Sequence, residues 1–202
     1  VEHGQPLDSA DGWEETPARV GYTFGGWYNG DARVTGGSIV TGALTLTARW
    51  TANTYTVTFN PNGGSGEQKT QTYHYGDAVV LIDNPERDGY TFEGWYYNGA
   101  LWVSGTAMPA ENITLVAMWE LKSYTVSFSA GDGATAVADQ KIYFEFTATK
   151  PTDPVRSGYV FGGWMLDGSK YDFGTSVRDN ITLTAKWLPR TYSIDYVLGG
   201  GV

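Results

Sequence analysis

The sequence predicts a mainly β, turn-rich chain with minimal helix, arranged as a tandem array of small units. Three observations carry that expectation. Landmarks recur with a period of about 68 residues; apolar and polar side chains alternate with a period of two; and glycine-bearing dipeptides suited to hairpin turns separate the alternating runs.

The repeat comes first because it sets the domain count. Gly-Tyr-x-Phe-x-Gly-Trp occupies residues 21–27, 89–95 and 158–164. An alternating run ending in Ala-x-Trp occupies 44–50, 113–119 and 181–187. A third landmark, YTVTF at 55–59, returns as YTVSF at 124–128 and as YSIDY at 192–196. These divisions predict a partial repeat at 1–50 lacking its first strand, complete repeats at 53–119 and 122–187, and the first strand of a further repeat at 190–202. Starting and stopping inside a repeat is what a piece of a longer, elongated array would do. The connections at 51–54, 120–123 and 188–191 are four residues each, a reach of about 13 Å, so adjacent units are expected to form a semi-rigid string.

Within each unit the strands can be justified in turn. In 181–187, Ile181, Leu183, Ala185 and Trp187 face one side while Thr182, Thr184 and Lys186 face the other. Tyr124, Val126 and Phe128 alternate with Thr125 and Ser127 in the same way. The Gly-Tyr-x-Phe-x-Gly-Trp strand breaks the rule, because Trp95 lies three residues beyond Phe92. A bulge at Gly94, and at Gly26 and Gly163 in the other units, would return the tryptophan to the core face. Asn29 with Gly30, Asn98 with Gly99 and Asp167 with Gly168 predict type I′ hairpin turns, and Asn62 with Gly63 predicts a second hairpin. Residues 171–178, with Phe173 and Val177 four apart, are the one short helix candidate.

Composition narrows the function. Among 202 residues there is no cysteine, which removes disulfides, thiolate zinc sites and cysteine nucleophiles. The two histidines, His3 and His74, are not at equivalent places, since Glu2-His3-Gly4 aligns with His74-Tyr75-Gly76. No acidic residue recurs at one position in all units, and a unit of about 68 residues has little room for a glycosidase cleft. A net charge of −9 argues against nucleic acid and anionic membranes as partners. No apolar run approaches the roughly 20 residues needed to cross a bilayer. No catalytic residue, metal site or cofactor is expected.

The pattern YTVTFNPNGG…YGDAV…P…GYTFEGWYYNG…ITLVAMW resembles the Listeria–Bacteroides repeat, also called the internalin B-type B-repeat. The likeness covers essentially the whole chain, once per unit. It implies a small β-grasp, ubiquitin-like fold, α+β with minimal helix, in tandem arrays of secreted or surface-anchored bacterial proteins. It brings no catalytic residues. The unit at 1–50 departs from the pattern in lacking its first strand and in the longer stretch between Gly4 and Gly21.

Candidate ligand contacts are the aromatics outside the repeated core. The recurring Trp27, Trp95, Trp164 and Trp50, Trp119, Trp187 are predicted core, whereas Trp13 and Trp102 do not recur. By turn register Trp102 corresponds to Tyr171 and Arg33, so Trp102, Tyr171 and Trp13 are the candidates for stacking on a glycan, a partly buried rim being the commoner fate of such residues. Asn112 and Asn180 sit in glycosylation sequons, and a turn asparagine entering a strand is the simpler reading. Charge does not repeat: 53–119 holds seven acids and two bases, while 122–187 holds seven of each. The expected function is therefore a spacer or stalk at a bacterial cell surface or in a secreted protein, supporting adhesion. The alternative is an adhesive or carbohydrate-binding module with a host or cell-surface protein or glycan as partner. The strand at 192–196, with Tyr192, Ile194 and Tyr196 on one face, is expected to add to the sheet edge of a neighbouring repeat or a neighbouring copy.

Overall fold

The computed structural model of the chain describes residues 1–13, 16–197 and 199. The described residues form three sheets. The first holds β1 (Tyr22–Asn29), β2 (Ala32–Val34) and β3 (Thr47–Ala52) in the order β2-β1-β3. The second holds β4 (Thr54–Asn60), β5 (Lys69–His74), β6 (Tyr90–Tyr97), β7 (Ala100–Leu101) and β8 (Ile113–Leu121), in the order β5-β4-β8-β6-β7. The third repeats that order with β9 (Ser123–Ser129), β10 (Gln140–Tyr143), β11 (Tyr159–Leu166), β12 (Ser169–Lys170) and β13 (Ile181–Pro189), as β10-β9-β13-β11-β12. The chain is mainly β, and its helix among the described residues is a 3-10 turn at Leu7–Ser9.

In the five-stranded sheets the first and last strands are central and parallel. β4 pairs with β8 through Val57↔Ile113 and Phe59↔Leu115, and β9 pairs with β13 through Val126↔Ile181 and Phe128↔Leu183. Central parallel strands are covered by neighbours on both sides, so their inward residues are the best buried. Val57, Phe59, Leu115, Val126 and Leu183 anchor the two cores. On each core sits one tryptophan of the Gly-Trp pair, Trp95 at 2% exposed and Trp164 at 1%, with the first-strand phenylalanine edge-on to it. The centroid distance is 5.1 Å for Phe59–Trp95 and 5.0 Å for Phe128–Trp164.

The predicted glycine bulge is present. The register between β1 and β3 shifts between Phe24 and Gly26, and that between β11 and β13 shifts between Phe161 and Gly163. Gly26, Gly94 and Gly163 have φ of 118°, 135° and 118°, a region side chains rarely enter. The bulge turns the next tryptophan inward, as the sequence spacing demanded.

Several expectations need correction. Residues 171–178 are not helical. The Asp172 carboxylate accepts from the Gly174 N–H at 2.9 Å, and the Thr175 N–H closes a turn on the Asp172 carbonyl. A side chain that satisfies the backbone locally competes with helix, and Val177 is instead held by its N–H to the Phe146 carbonyl. The I′ geometry holds at Asn98–Gly99 and Asp167–Gly168, with φ of 49° and 80°, and 49° and 81°. The first repeat differs: Asn29 ends β1, Gly30 and Asp31 make the turn, and of these two Gly30 alone has positive φ. That one-residue offset places Val34, not Arg33, opposite Trp27. Val34 is thus the counterpart of Trp102 and Tyr171. The second tryptophan set is half-buried rather than core. Trp119 and Trp187 lie edge-on to Phe92 and Phe161 and donate their indole N–H to the carbonyls of Pro61 and Ala130.

Residues 1–50 contain no described strand in the place of β4 or β9. The consequence is local and visible. Residues 44–46, which match the start of β8 and β13, are not strand, because their parallel partner is missing. Leu44 is 38% exposed where Ile113 is 3%, and Trp27 is only half-buried.

By contacts the chain divides into two compact units. One comprises Val1–Arg87 and Phe92–Trp119; the other comprises Asp88–Thr91 and Glu120–Val202.

Candidate interaction site

Trp102, Tyr171 and Trp13 are not gathered into one surface. Trp102 packs on the Val57–Phe59 core with its ring edge-on to Tyr97 at 5.9 Å. Tyr171 packs on the other core and lies edge-on to Phe173 at 5.0 Å. Their backbones confirm the equivalence, each N–H donating to the carbonyl of the core tryptophan, Trp95 or Trp164, at 2.8 Å. Both present buried polar atoms without a partner, the Trp102 indole N–H and the Tyr171 hydroxyl. They serve as rims of the core, not as free plates. Trp13 is half-buried beside Trp27, and with Leu7 and Leu46 they line a hollow of about 290 Å³.

Burial, with a smaller contribution from Asp172, raises the Tyr171 phenol above its ordinary value of 10.0. The folded state therefore favours the protonated form. Its contribution to stability is fully present below the unfolded value and is lost as pH rises through the folded one. Tyr171→Phe deletes a hydroxyl that has no partner, so its stability at neutral pH should match or slightly exceed the parent's. The alkaline loss should shrink in urea titrations near pH 10–11; a neutral-pH loss above about 1 kcal/mol would mean the hydroxyl is bonded. Tyr97 titrates upward too, chiefly because its hydroxyl donates to Glu111 at 2.9 Å.

The sequon asparagines are structural. The Asn112 carboxamide oxygen accepts from the Thr56 N–H at 2.8 Å, and that of Asn180 accepts from the Thr125 N–H at 2.7 Å. Each clips the last crossover to the opening strand. Asn112→Ala or Asn180→Ala should cost about 1 kcal/mol, measured by chemical denaturation, and no loss would remove this role.

A second repeated contact was not read from the sequence. The glycine opening Gly-Tyr-x-Phe has φ of 77° at Gly21, 74° at Gly89 and 77° at Gly158. Over Gly21 lies the ring of Tyr75, and over Gly89 the ring of Phe144; a Cβ on either glycine would overlap ring carbons, at 2.2 Å and 1.9 Å. Both glycines are buried. Two backbone bonds frame each ring. The Asn53 N–H donates to the Gly21 carbonyl and the Tyr75 N–H to the Asn53 carbonyl, both at 2.8 Å. In the same positions the Lys122 N–H donates to Gly89 and the Phe144 N–H to Lys122, both at 2.9 Å. Tyr22 adds an edge-on contact to Tyr75 at 5.5 Å, and Arg19 stacks over Tyr22 at 4.0 Å. Beside Phe144, Arg178 pairs with Asp88 and Glu145, an exposed set worth little by itself. The glycine belongs to one landmark set and the ring to the next, so this is a joint between successive repeats. The signal was available: Tyr75 and Phe144 recur as aromatics one residue before Gly76 and Glu145, which both have positive φ.

Residues 192–196 are described but make no strand in this chain. Tyr192, Ile194 and Tyr196 are exposed at 73%, 74% and 87%. Residues 198 and 200–202 of the expected opening segment lie outside the described residues.

The Listeria-Bacteroides repeat domain family matches residues 1–49, 55–118 and 124–186. The chain belongs to this family. Similar relatives include, in Evansella cellulosilytica, by name a Gly-rich membrane protein, 35% identical over an alignment that covers 93% of this chain and 23% of the relative. A second protein of that organism, by name a membrane protein, is 34% identical over 89% of this chain and 28% of the relative. Internalin H of Listeria monocytogenes is 38% identical over an alignment that covers 51% of this chain and 20% of its own length. The chain thus spans about a quarter of the length of the relatives it matches. Among its described residues no helix is long and apolar enough to cross a membrane.

Proposed function

We propose that this Listeria–Bacteroides repeat chain is a non-enzymatic spacer or stalk region of a bacterial cell-surface or secreted protein, holding other parts of that protein away from the envelope and so supporting adhesion. The observation that carries this is the joint made twice with the same parts, a buried glycine under an aromatic ring framed by two backbone bonds. A chain that spends its recurring residues on cores, bulges, turns and joints, and lets its surface charge vary, is built to transmit position. The names of its relatives, two membrane proteins and an internalin, favour the same setting.

Each complete repeat is a β-grasp unit at 53–119 or 122–187, with 1–50 a partial repeat and 190–202 the opening of another. Supporting this is the mixed sheet in which first and last strands run parallel at the centre, each flanked by an antiparallel partner. The crossover between β5 and β6 holds neither helix nor strand and is pinned by bonds such as Val79 N–H to the Thr106 carbonyl.

The carbohydrate-binding alternative is disfavoured by the packing of Trp102 and Tyr171 into the cores. Glycan-array and host-protein binding assays on the whole chain separate the two. The spacer requires no saturable binding; binding abolished by Trp102→Ala, with the fold retained, would replace it with an adhesive module.

A further inference from the structure

We infer that the third repeat carries a binding site for a small carboxylate with a flat apolar body, seated beside the Gly163 bulge between Lys150, Lys170 and Tyr171. A hollow of about 340 Å³ opens there, within the size range of small-ligand sites. Phe161, Trp164, Tyr171 and Phe173 give it aromatic walls, and Lys150 and Lys170 stand in its lining.

The second repeat shows what this place holds when it serves the fold alone. Lys170 pairs with Met165 across the hairpin as Leu101 pairs with Tyr96. Lys150 and Leu81 each come three residues after equivalent bridges, Thr147↔Ser176 and Ala78↔Ala107. Leu81 packs against the core of the second repeat. Leu101 lies over the bulge glycine, its Cδ1 2.5 Å from where a Cβ on Gly94 would stand. In the third repeat both leucines are lysines. The Lys170 stem still covers Gly163, its Cε 3.3 Å from the equivalent point. The apolar stem keeps the packing role, and the ammonium group is an addition to it.

The charges about the hollow differ in what they already hold. Lys150 is paired with Asp153 at 2.8 Å, and the Asp172 carboxylate accepts from the Gly174 N–H at 2.9 Å. Among the described residues Lys170 has no ion-pair or hydrogen-bond partner. Two residues of the lining carry further unsatisfied groups: the Trp164 indole N–H and the Tyr171 hydroxyl are buried without a partner, Trp164 being 1% exposed. An indole N–H can only donate, and burial keeps the Tyr171 phenol protonated. One free cation and two donors call for an anion with several lone pairs, and the aromatic walls call for a flat apolar body. A carboxylate on an aromatic ring, the class of benzoate, supplies both. The matching Trp95 and Trp102 indoles of the second repeat are unsatisfied too, but leucines stand there in place of the cations. The second repeat is therefore an internal control. The spacer reading does not depend on this site, since none of these residues belongs to a joint.

Titration of the nitrogen-15-labelled 202-residue chain with benzoate, followed by two-dimensional NMR, tests the inference. The Trp164 indole signal and the amides of Gly163, Lys170 and Tyr171 should move saturably, with a dissociation constant of about 1 mM or lower, while the Trp95 indole stays in place. Acetate and benzyl alcohol, which carry the charge or the ring alone, should each bind about tenfold more weakly or worse. Lys170→Leu, which copies Leu101 at an exposed side chain, should keep the spectrum of a folded third repeat and lose about tenfold or more in affinity. Shifts at Trp164 that do not saturate, equal movement of Trp95 and Trp164, or unchanged affinity in Lys170→Leu overturn the site. Benzyl alcohol binding as tightly as benzoate overturns the carboxylate, and acetate doing so overturns the flat body.

Discussion

Gly89→Ala is expected to destabilise the chain by about 3 kcal/mol or more, while the same change at Gly158 costs about 1–2 kcal/mol. Both glycines share nearly one backbone conformation, φ of 74° and 77°, so both substitutions carry the same left-handed penalty for a residue with a Cβ. They differ in what the methyl meets. At Gly89 it would fall 1.9 Å from a ring carbon of Phe144, whereas at Gly158 there is open space. Phe144 must leave its seat, and roughly 1.5–3 kcal/mol of aromatic burial goes with it. Urea titrations of the two variants at low protein concentration, with amide exchange at Lys122 and Phe144, isolate the joint as the difference. Equal losses would show that the ring contributes nothing to stability.

Trp95→Ala should have the largest effect of any single core change, about 3–5 kcal/mol. Its ring is sealed between Phe59 and Phe92 at 5.1 and 5.7 Å, and its indole N–H has no partner to lose. A repeat of this size has little stability to spare, so the second repeat should unfold while retaining its neighbours' signals. The matched Trp27→Ala should cost far less, because Trp27 faces a hollow where the other repeats place a phenylalanine. Trp119→Ala should fall between them, being half-buried with one bond to the Pro61 carbonyl. Two-dimensional NMR of each variant reads which repeat melts. If Trp27→Ala proves as damaging as Trp95→Ala, the first repeat is closed in solution and its core is complete.

Much of the fold was legible because its rules are local. Alternation at 181–187 and 124–128 gave strands, and the three-residue step from Phe92 to Trp95 gave the bulge, since a period of two has only that way to recover. Two failures have local causes as well. The Phe173–Val177 spacing mimics helix, but Asp172 and Gly174 divert the backbone into a turn. In the first repeat the turn is Gly30–Asp31, one residue later than the Asn-Gly dipeptide suggests, and that offset moved Arg33 into a place held by Val34. Trp102 is the partly buried rim that the sequence reading held commoner than a free plate, and its failure to recur carried no ligand signal, because that rim accepts Trp102, Tyr171 or Val34. The joint was hidden for a different reason. It links residues more than fifty apart, and only the combination of a left-handed glycine and a recurring aromatic 54 or 55 residues later would have signalled it.

The spacer depends on whether the joint holds successive repeats in one arrangement. The chain has no cysteine, so Thr47→Cys and Thr114→Cys, at exposed places on β3 and β8 within one compact unit, label it cleanly with a pair of spin probes. Pulsed electron-spin distance measurement on that chain should give one narrow distribution, and adding Tyr75→Ala should broaden it while the second repeat's core stays folded. A broad distribution in the parent, or one that Tyr75→Ala leaves unchanged, would contradict a positional role for the repeats.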